Sequence, residues 1–190
     1  MKVLVVADEE SRSLTEYYAE NNLGSIDLIL SVGDLPYSYL ETIRTNLQKP
    51  LFYVKGNHDT YKTGLFDKEF IEWKSAEVSG IKIIAIGCQH RNGHILSEAE
   101  MYKKLKSLYQ RNKSNSNVDI IISHYPAFGI GDGQDSTHQG YRAIRDFVEK
   151  TQPTYFVYGH NHLNYGRKPR MIESSKTTYV NAYEKFIIEI

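Results

Sequence analysis

Five apolar runs in this chain each give way to residues that bind metals or protons. The run 3–7 stops at Asp8 and the run 26–32 at Gly33-Asp34. The run 51–54 leads into Gly56-Asn57-His58-Asp59, 118–123 stops at His124, and 155–158 at Gly159-His160-Asn161-His162. Short apolar runs bounded by such breaks are the pattern of strands buried on both faces, as in parallel sheets. An Asn, a His and an Asp in a row where a buried strand runs out cost desolvation energy unless something binds there. In α/β sheets, ligand sites collect beyond the carboxyl ends of the strands. One recurring pattern thus constrains both the fold and the place where function sits.

The segments between the runs fit that reading. Residues 11–21 carry Leu14, Tyr17 and Tyr18 at helical spacing and stop near Gly24; 38–47 reads as a second helix, broken by Lys49-Pro50. The first third is therefore β-α-β-α-β, the signature of a parallel sheet with helices packed on it. The stretch 60–74 reads as loop with a helical turn. A hairpin with Ser79-Gly80 at its turn is predicted next, its second arm being 81–86. The spacing predicts a helix over 97–113, with Ser97 and Glu100 as a capping box. A helix over 141–150 precedes the strand 154–158. The tail, 177–181 and 185–190, reads as a final hairpin.

With 190 residues and 41% hydrophobic content the chain suits one domain, 1–190, with a sizeable core and no cap domain. Lys+Arg and Asp+Glu both number 23, so no strong field invites nucleic acid or an anionic membrane. A small phosphate-bearing substrate stays compatible. The lone cysteine, Cys88, can form no internal disulfide, which fits a reducing, cytoplasmic setting. The N-terminal apolar run reaches Asp8 too soon for a signal peptide, and no run approaches the length of a membrane span. The glycines at 129–133 lack the following Lys of a nucleotide-binding P-loop.

The strand-end residues Asp8, Asp34, Asn57, His58, His124, His160 and His162 are too many for one four-coordinate zinc and suit two divalent ions sharing a bridging carboxylate. A two-ion site of that kind is built for in-line displacement at phosphorus. At these residues the sequence resembles the calcineurin-like metallophosphoesterases, whose ordered motifs are D-x-H, G-D, G-N-H-D/E, a lone His and G-H-x-H. Here these are Asp8-Glu9-Glu10, Gly33-Asp34, Gly56-Asn57-His58-Asp59, His124 and Gly159-His160-Asn161-His162. The resemblance spans 8–162 and points to a small prokaryotic phosphoesterase branch. It implies a four-layer α/β/β/α sandwich of two mixed sheets. It also implies a hydrolase that cleaves phosphoester bonds, diesters favoured, with a metal-bound hydroxide as nucleophile. Asp34 would bridge the two ions (Mn favoured among Mn, Fe, Zn, Ni and Mg). Asp8 and His162 would hold the first, and Asn57, His124 and His160 the second. His58 would face the substrate, stabilise developing charge and help protonate the leaving oxygen. The alternatives are a non-catalytic protein-binding scaffold on the same fold, which retention of His58 opposes, and a nuclease, which the zero net charge opposes.

Two positions depart from the family pattern. Glu10 stands where many members carry His: either it ligates as a hard oxygen and biases the first position toward Mn, Fe or Mg, or it leaves the first metal weakly held. Tyr37 stands where some family phosphatases place a second Asp that orients the catalytic His, which favours the phosphodiesterase-like branch over protein phosphatases. Asp59 is expected to orient the Asn57-His58 turn without ligating, and Cys88 to behave as a small buried apolar residue. His138, in the loop after His124, reads either as facing substrate or as part of a turn. His90, Arg91, Asn92 and His94 read either as a phosphate-binding rim or as exposed loop.

Overall fold

The computed structural model describes residues 1–15, 23–59, 68–89, 93–112, 117–164 and 168–190. Two sheets face each other. The first runs in the order β10-β1-β2-β3, built from β1 (Lys2–Ala7), β2 (Leu28–Ser31), β3 (Leu51–Tyr53) and β10 (Glu184–Glu189). The second runs β4-β5-β6-β7-β9-β8, from β4 (Ser75–Val78), β5 (Ile81–Ile86), β6 (Ile120–Ser123), β7 (Tyr155–Tyr158), β8 (Met171–Ser174) and β9 (Thr177–Asn181). In each sheet the central strands are parallel. β10 runs antiparallel to β1, β4 to β5 and β8 to β9.

Period-two alternation sorts the strand side chains into three layers of core. Val3, Val5 and Ala7 join Leu28 and Leu30 from one sheet, and Ile83, Ala85, Ile120, Ile122, Val157 and Val180 from the other, between the sheets. Leu4, Val6 and Ile29 point the other way, onto α1 (Arg12–Thr15) and α2 (Tyr37–Leu47). Ile84, Ile86, Ile121 and Phe156 point outward onto α3 (Glu98–Asn112) and α4 (Arg142–Thr151). The helices meet those faces through Tyr39, Leu40, Ile43 and Leu47 of α2, and through Phe147 and Val148 of α4. Helices, sheet, sheet and helices make the expected four-layer α/β/β/α sandwich.

Local chemistry explains the element boundaries. Ser97 and Glu100 form the capping box: the Glu100 carboxylate accepts from the Ser97 N–H at 2.8 Å and its hydroxyl at 2.6 Å. Ser79-Gly80 turns β4 into β5, both residues at positive φ. The expected helix over 11–21 is described only as far as Thr15, and 60–67 of the expected loop lie outside the described residues. One expectation fails. The tail is not a hairpin, because β9 stays in the second sheet while β10 crosses to the first and pairs with β1. β1 is flanked by β2 on one side only, and β10 fills the open edge. β9 hairpins instead with β8, a strand whose alternating exposed and half-buried residues carry little apolar signal. Among the described residues no helix is long and apolar enough to cross a membrane.

Candidate active site

The carboxyl ends of β1, β2, β6 and β7 lie together, and their loops bring distant residues into contact. Asp8 donates its N–H to Gly33 O at 3.1 Å, and Gly159 donates to His124 O at 3.0 Å. The His160 N–H points at the Asp8 carboxylate, 2.9 and 3.1 Å from its two oxygens. Ligand atoms of Asp8, Asp34 and His124 lie within 4.8 Å of one another.

Asp8, Asp34 and His160 share a left-handed backbone, with φ of 65°, 56° and 66°. That region is uncommon for residues other than glycine, and it clusters where a site over-determines the backbone. Here the sharp reversal turns each side chain back over its strand end. The motif glycines permit the close packing this requires. A Cβ on Gly56 would lie 2.1 Å from Asp34 Oδ1, and one on Gly159 would lie 2.8 Å from Asp8 Oδ2.

Hydrogen bonds from backbone N–H groups fix the carboxylates. Asp59 Oδ2 accepts from Gly56 N and Asp34 N, both at 2.8 Å, and so locks the loop after β3 to the loop after β2. Asp59 thus holds the turn as the sequence suggests. His58 N donates to Asp34 Oδ1 at 2.8 Å, and His58 is exposed. Gln89 Nε2 donates to Gly56 O at 2.6 Å, and the buried Cys88 thiol to Lys55 O.

The histidines are fixed by backbone carbonyls. His124 is fully buried, with Nδ1 2.8 Å from Val32 O. A carbonyl only accepts, so Nδ1 carries the proton, and Nε2 faces Asn57 Oδ1 at 2.8 Å and Asp34 Oδ2 at 3.3 Å. Three acceptor atoms therefore converge on one point. Either His124 takes a second proton or a cation sits among them. Without an ion, the proton alternative registers in the pKa values. Burial opposes charge on both partners, yet their mutual bond lifts His124 above its ordinary value and lowers Asp34 below. His160 points Nε2 at Thr137 O, 2.8 Å away, which leaves Nδ1 as its lone-pair donor. Burial, with the His124 charge second, pushes its pKa down to about 4, so it is neutral, as a metal ligand must be. Donation of the second ring N–H to a carbonyl is how metal-ligating histidines are oriented.

The remaining candidates are less tightly gathered. His162 packs against Tyr183 with the rings tilted, centres 4.9 Å apart, and lies near enough to Asp8 to favour its ionised form, against burial that raises its pKa. Glu10 is exposed on the loop after β1, outside the Asp8–Asp34–His124 group. Tyr37 opens α2. His138 stands beside His160 at 5.5 Å with Nδ1 on Asp135, and its loop packs against Asn161. The possible rim residues His90, Arg91 and Asn92 lie outside the described residues, and His94 is exposed. A groove of about 600 Å³ lined by Arg44, Lys49, Phe52 and Lys68 lies at the opposite end of β3 and holds none of the candidate ligands.

Several supporting residues carry no signal in the sequence. Asn181 donates to Asn161 O at 2.7 Å and braces the G-H-x-H loop from the neighbouring strand. Glu72 accepts from Lys55 N at 2.8 Å behind the Asn57 loop, and burial pushes its pKa up to about 7. Only the three-dimensional pairing of β7 with β9, and of residues 55 and 72, reveals them.

A family model described as "Calcineurin-like phosphoesterase" matches residues 1–164. The chain belongs to the calcineurin-like phosphoesterases. Two UPF0046 proteins of Caenorhabditis elegans are similar in sequence. One is 30% identical over 67 residues (35% of this chain, 22% of that protein), the other 27% identical over 115 residues (57% and 38%). The chain thus spans well under half the length of these relatives. Among solved structures, TT1561 of Thermus thermophilus superposes with a TM-score of 0.67 at 11% identity, covering 96% of this chain and 89% of that one. Vacuolar Protein Sorting 29 of Cryptosporidium parvum superposes at 0.51 and 14% identity, covering 95% and 72%. Both likenesses concern the fold. In this member of the calcineurin-like phosphoesterases, the cluster of Asp8, Asp34 and His124 offers a place for a metal ion.

Proposed function

We propose that this chain hydrolyses phosphodiesters at a pair of divalent ions held over the strand ends. The observation that carries the reading is the convergence of Asp34 Oδ2, Asn57 Oδ1 and His124 Nε2, three acceptors that a cation would satisfy together. Asn57, His124 and His160 would hold one ion. Asp8 and His162, with Glu10 closing from the rim, would hold the other, and Asp34 would bridge. This mixture of hard oxygens and imidazole suits Mn, with Fe, Zn, Ni and Mg as alternatives. Bound there, the ions would lower the pKa of water toward neutrality and neutralise phosphate charge.

The protein's own groups do the rest. His58, exposed and anchored by its backbone to Asp34, faces incoming substrate and delivers a proton to the leaving oxygen. Asp59 keeps that turn in place. Tyr37, standing where a second Asp would aim the catalytic His in some family phosphatases, favours diesters over monoesters. The buried free thiol of Cys88 suits a reducing, cytoplasmic compartment.

The test is a panel of aryl phosphodiesters, aryl monoesters and cyclic nucleotides, with Mn, Ni, Mg and Zn, on wild type and His58→Ala. Metal-dependent turnover lost in His58→Ala is expected, fastest on diesters. No turnover of any substrate with any metal would sink the hydrolase reading in favour of a protein-binding scaffold.

A further inference from the structure

The crossover from β9 to β10 delivers one aromatic side chain to the less gathered half of the site. Tyr183 is buried, and its backbone is held in both sheets. It forms a parallel bridge with Ala7 of β1, while its N–H donates to the Asn181 side chain at 2.8 Å. Arg170 donates one guanidinium nitrogen to both Asn181 O (3.0 Å) and Tyr183 O (2.9 Å). With its main chain fixed, the ring lies against His162, centres 4.9 Å apart and planes 37° from parallel. The hydroxyl donates to Glu9 Oε2 and accepts from Asn164 Nδ2 at 2.9 Å.

We propose that Tyr183 is the positioning residue of the first metal position, setting the plane of the His162 ring and tying it through Glu9 to the loop that carries Asp8. The inference rests on the two-ion reading above. Both glutamates after Asp8 are exposed, and it is Glu9 that accepts from the Tyr183 hydroxyl. His124 and His160 are each oriented by a backbone carbonyl, and the Tyr183 ring packs against the His162 ring. Removing a group that orients a metal ligand weakens affinity by ~10–100-fold.

The experiment titrates Mn(II) into metal-free wild type, Tyr183→Phe, Tyr183→Leu and Glu9→Gln by calorimetry, with electron paramagnetic resonance reporting coupled Mn pairs. Wild type should take up two ions and show the coupled signal. Tyr183→Leu should bind one ion as tightly as wild type and the other ~10–100-fold more weakly, losing the coupled signal. Tyr183→Phe keeps the ring and should restore most of the affinity, and Glu9→Gln should fall between. Two undiminished affinities in Tyr183→Leu overturn the proposal and leave the two-ion reading standing. A wild type that binds one ion overturns the reading itself. If Tyr183→Leu fails to fold, Glu9→Gln at the far end of the chain of bonds decides: unchanged affinities for both ions overturn the proposal.

Discussion

The two halves of the site are built on different principles. The half around Asn57 and His124 is assembled in advance. Its acceptors already converge, and its loops are locked by Asp59 across two strand ends. The half around Asp8 and His162 is framed but more open. Asp8 is held by the His160 N–H, His162 leans on Tyr183, and Glu10 is exposed. On the two-ion reading, a preorganised half would hold its ion tightly because little ordering remains to be done, whereas the open half would have to order its ligands on binding. The difference teaches that the two proposed metal positions would not be equivalent, even though they would share one carboxylate.

Asp34 is the link between the halves, and its loss gives the largest expected effect. Asp34→Asn should empty both positions and lower kcat by about three orders of magnitude or more, the scale of removing a preorganised charge from a site. If metal analysis of that variant still finds two ions per chain, the bridging role is wrong. His58→Ala should separate chemistry from binding, with kcat down by ~100- to 10,000-fold while both ions stay bound. A parallel loss of metal would place His58 among the ligands.

The preorganised half can be broken from behind. Gly56→Ala forces a methyl group onto the Asp34 carboxylate, and a cost of about 2 kcal/mol or more is expected in chemical denaturation. Unchanged stability would mean the loop relaxes freely. Glu72 supplies a pH signature. Its folded pKa of about 7 stands above the ordinary value of 4.5, so between those values the native state holds a proton that the unfolded chain has released. That contribution is therefore fully present below about pH 4.5 and is lost as pH rises through 7. Glu72→Gln should flatten stability across that window, as melting temperatures from about pH 4.5 to 7.5 would show. The smallest effect should come from Glu10→Ala, a several-fold loss of affinity at the open position alone. Unchanged uptake and rate would remove Glu10 from the site.

Much of this is legible in the sequence, and the reason is physical. Buried parallel strands must be apolar, so the residues that interrupt them stand out, and Asp8, Asp34, Asn57, His124 and His160 are such interruptions. Asp59 is readable as a turn-former from its place after Asn57-His58. The tail misleads because β9 and β10 are both strand-like and close in sequence, while the need they serve, the open edge of β1, is visible only in the sheet. Tyr183 and Glu72 are silent for a related reason. Each acts through partners far away in the chain, at Glu9 and Lys55, and neither stands in a local pattern.

The left-handed backbone at Asp8, Asp34 and His160 has a bearing on how such sites should be dissected. Alanine at these positions removes a ligand and also leaves a Cβ where L-residues are penalised by ~1–2 kcal/mol, without the local polar bonds that let Asp and Asn tolerate it. An alanine scan would therefore mix lost chemistry with a relaxing loop. Glycine removes the ligand and fits the same dihedral angles. Glycine and alanine variants compared at each position would separate what the side chain does from what its unusual backbone costs.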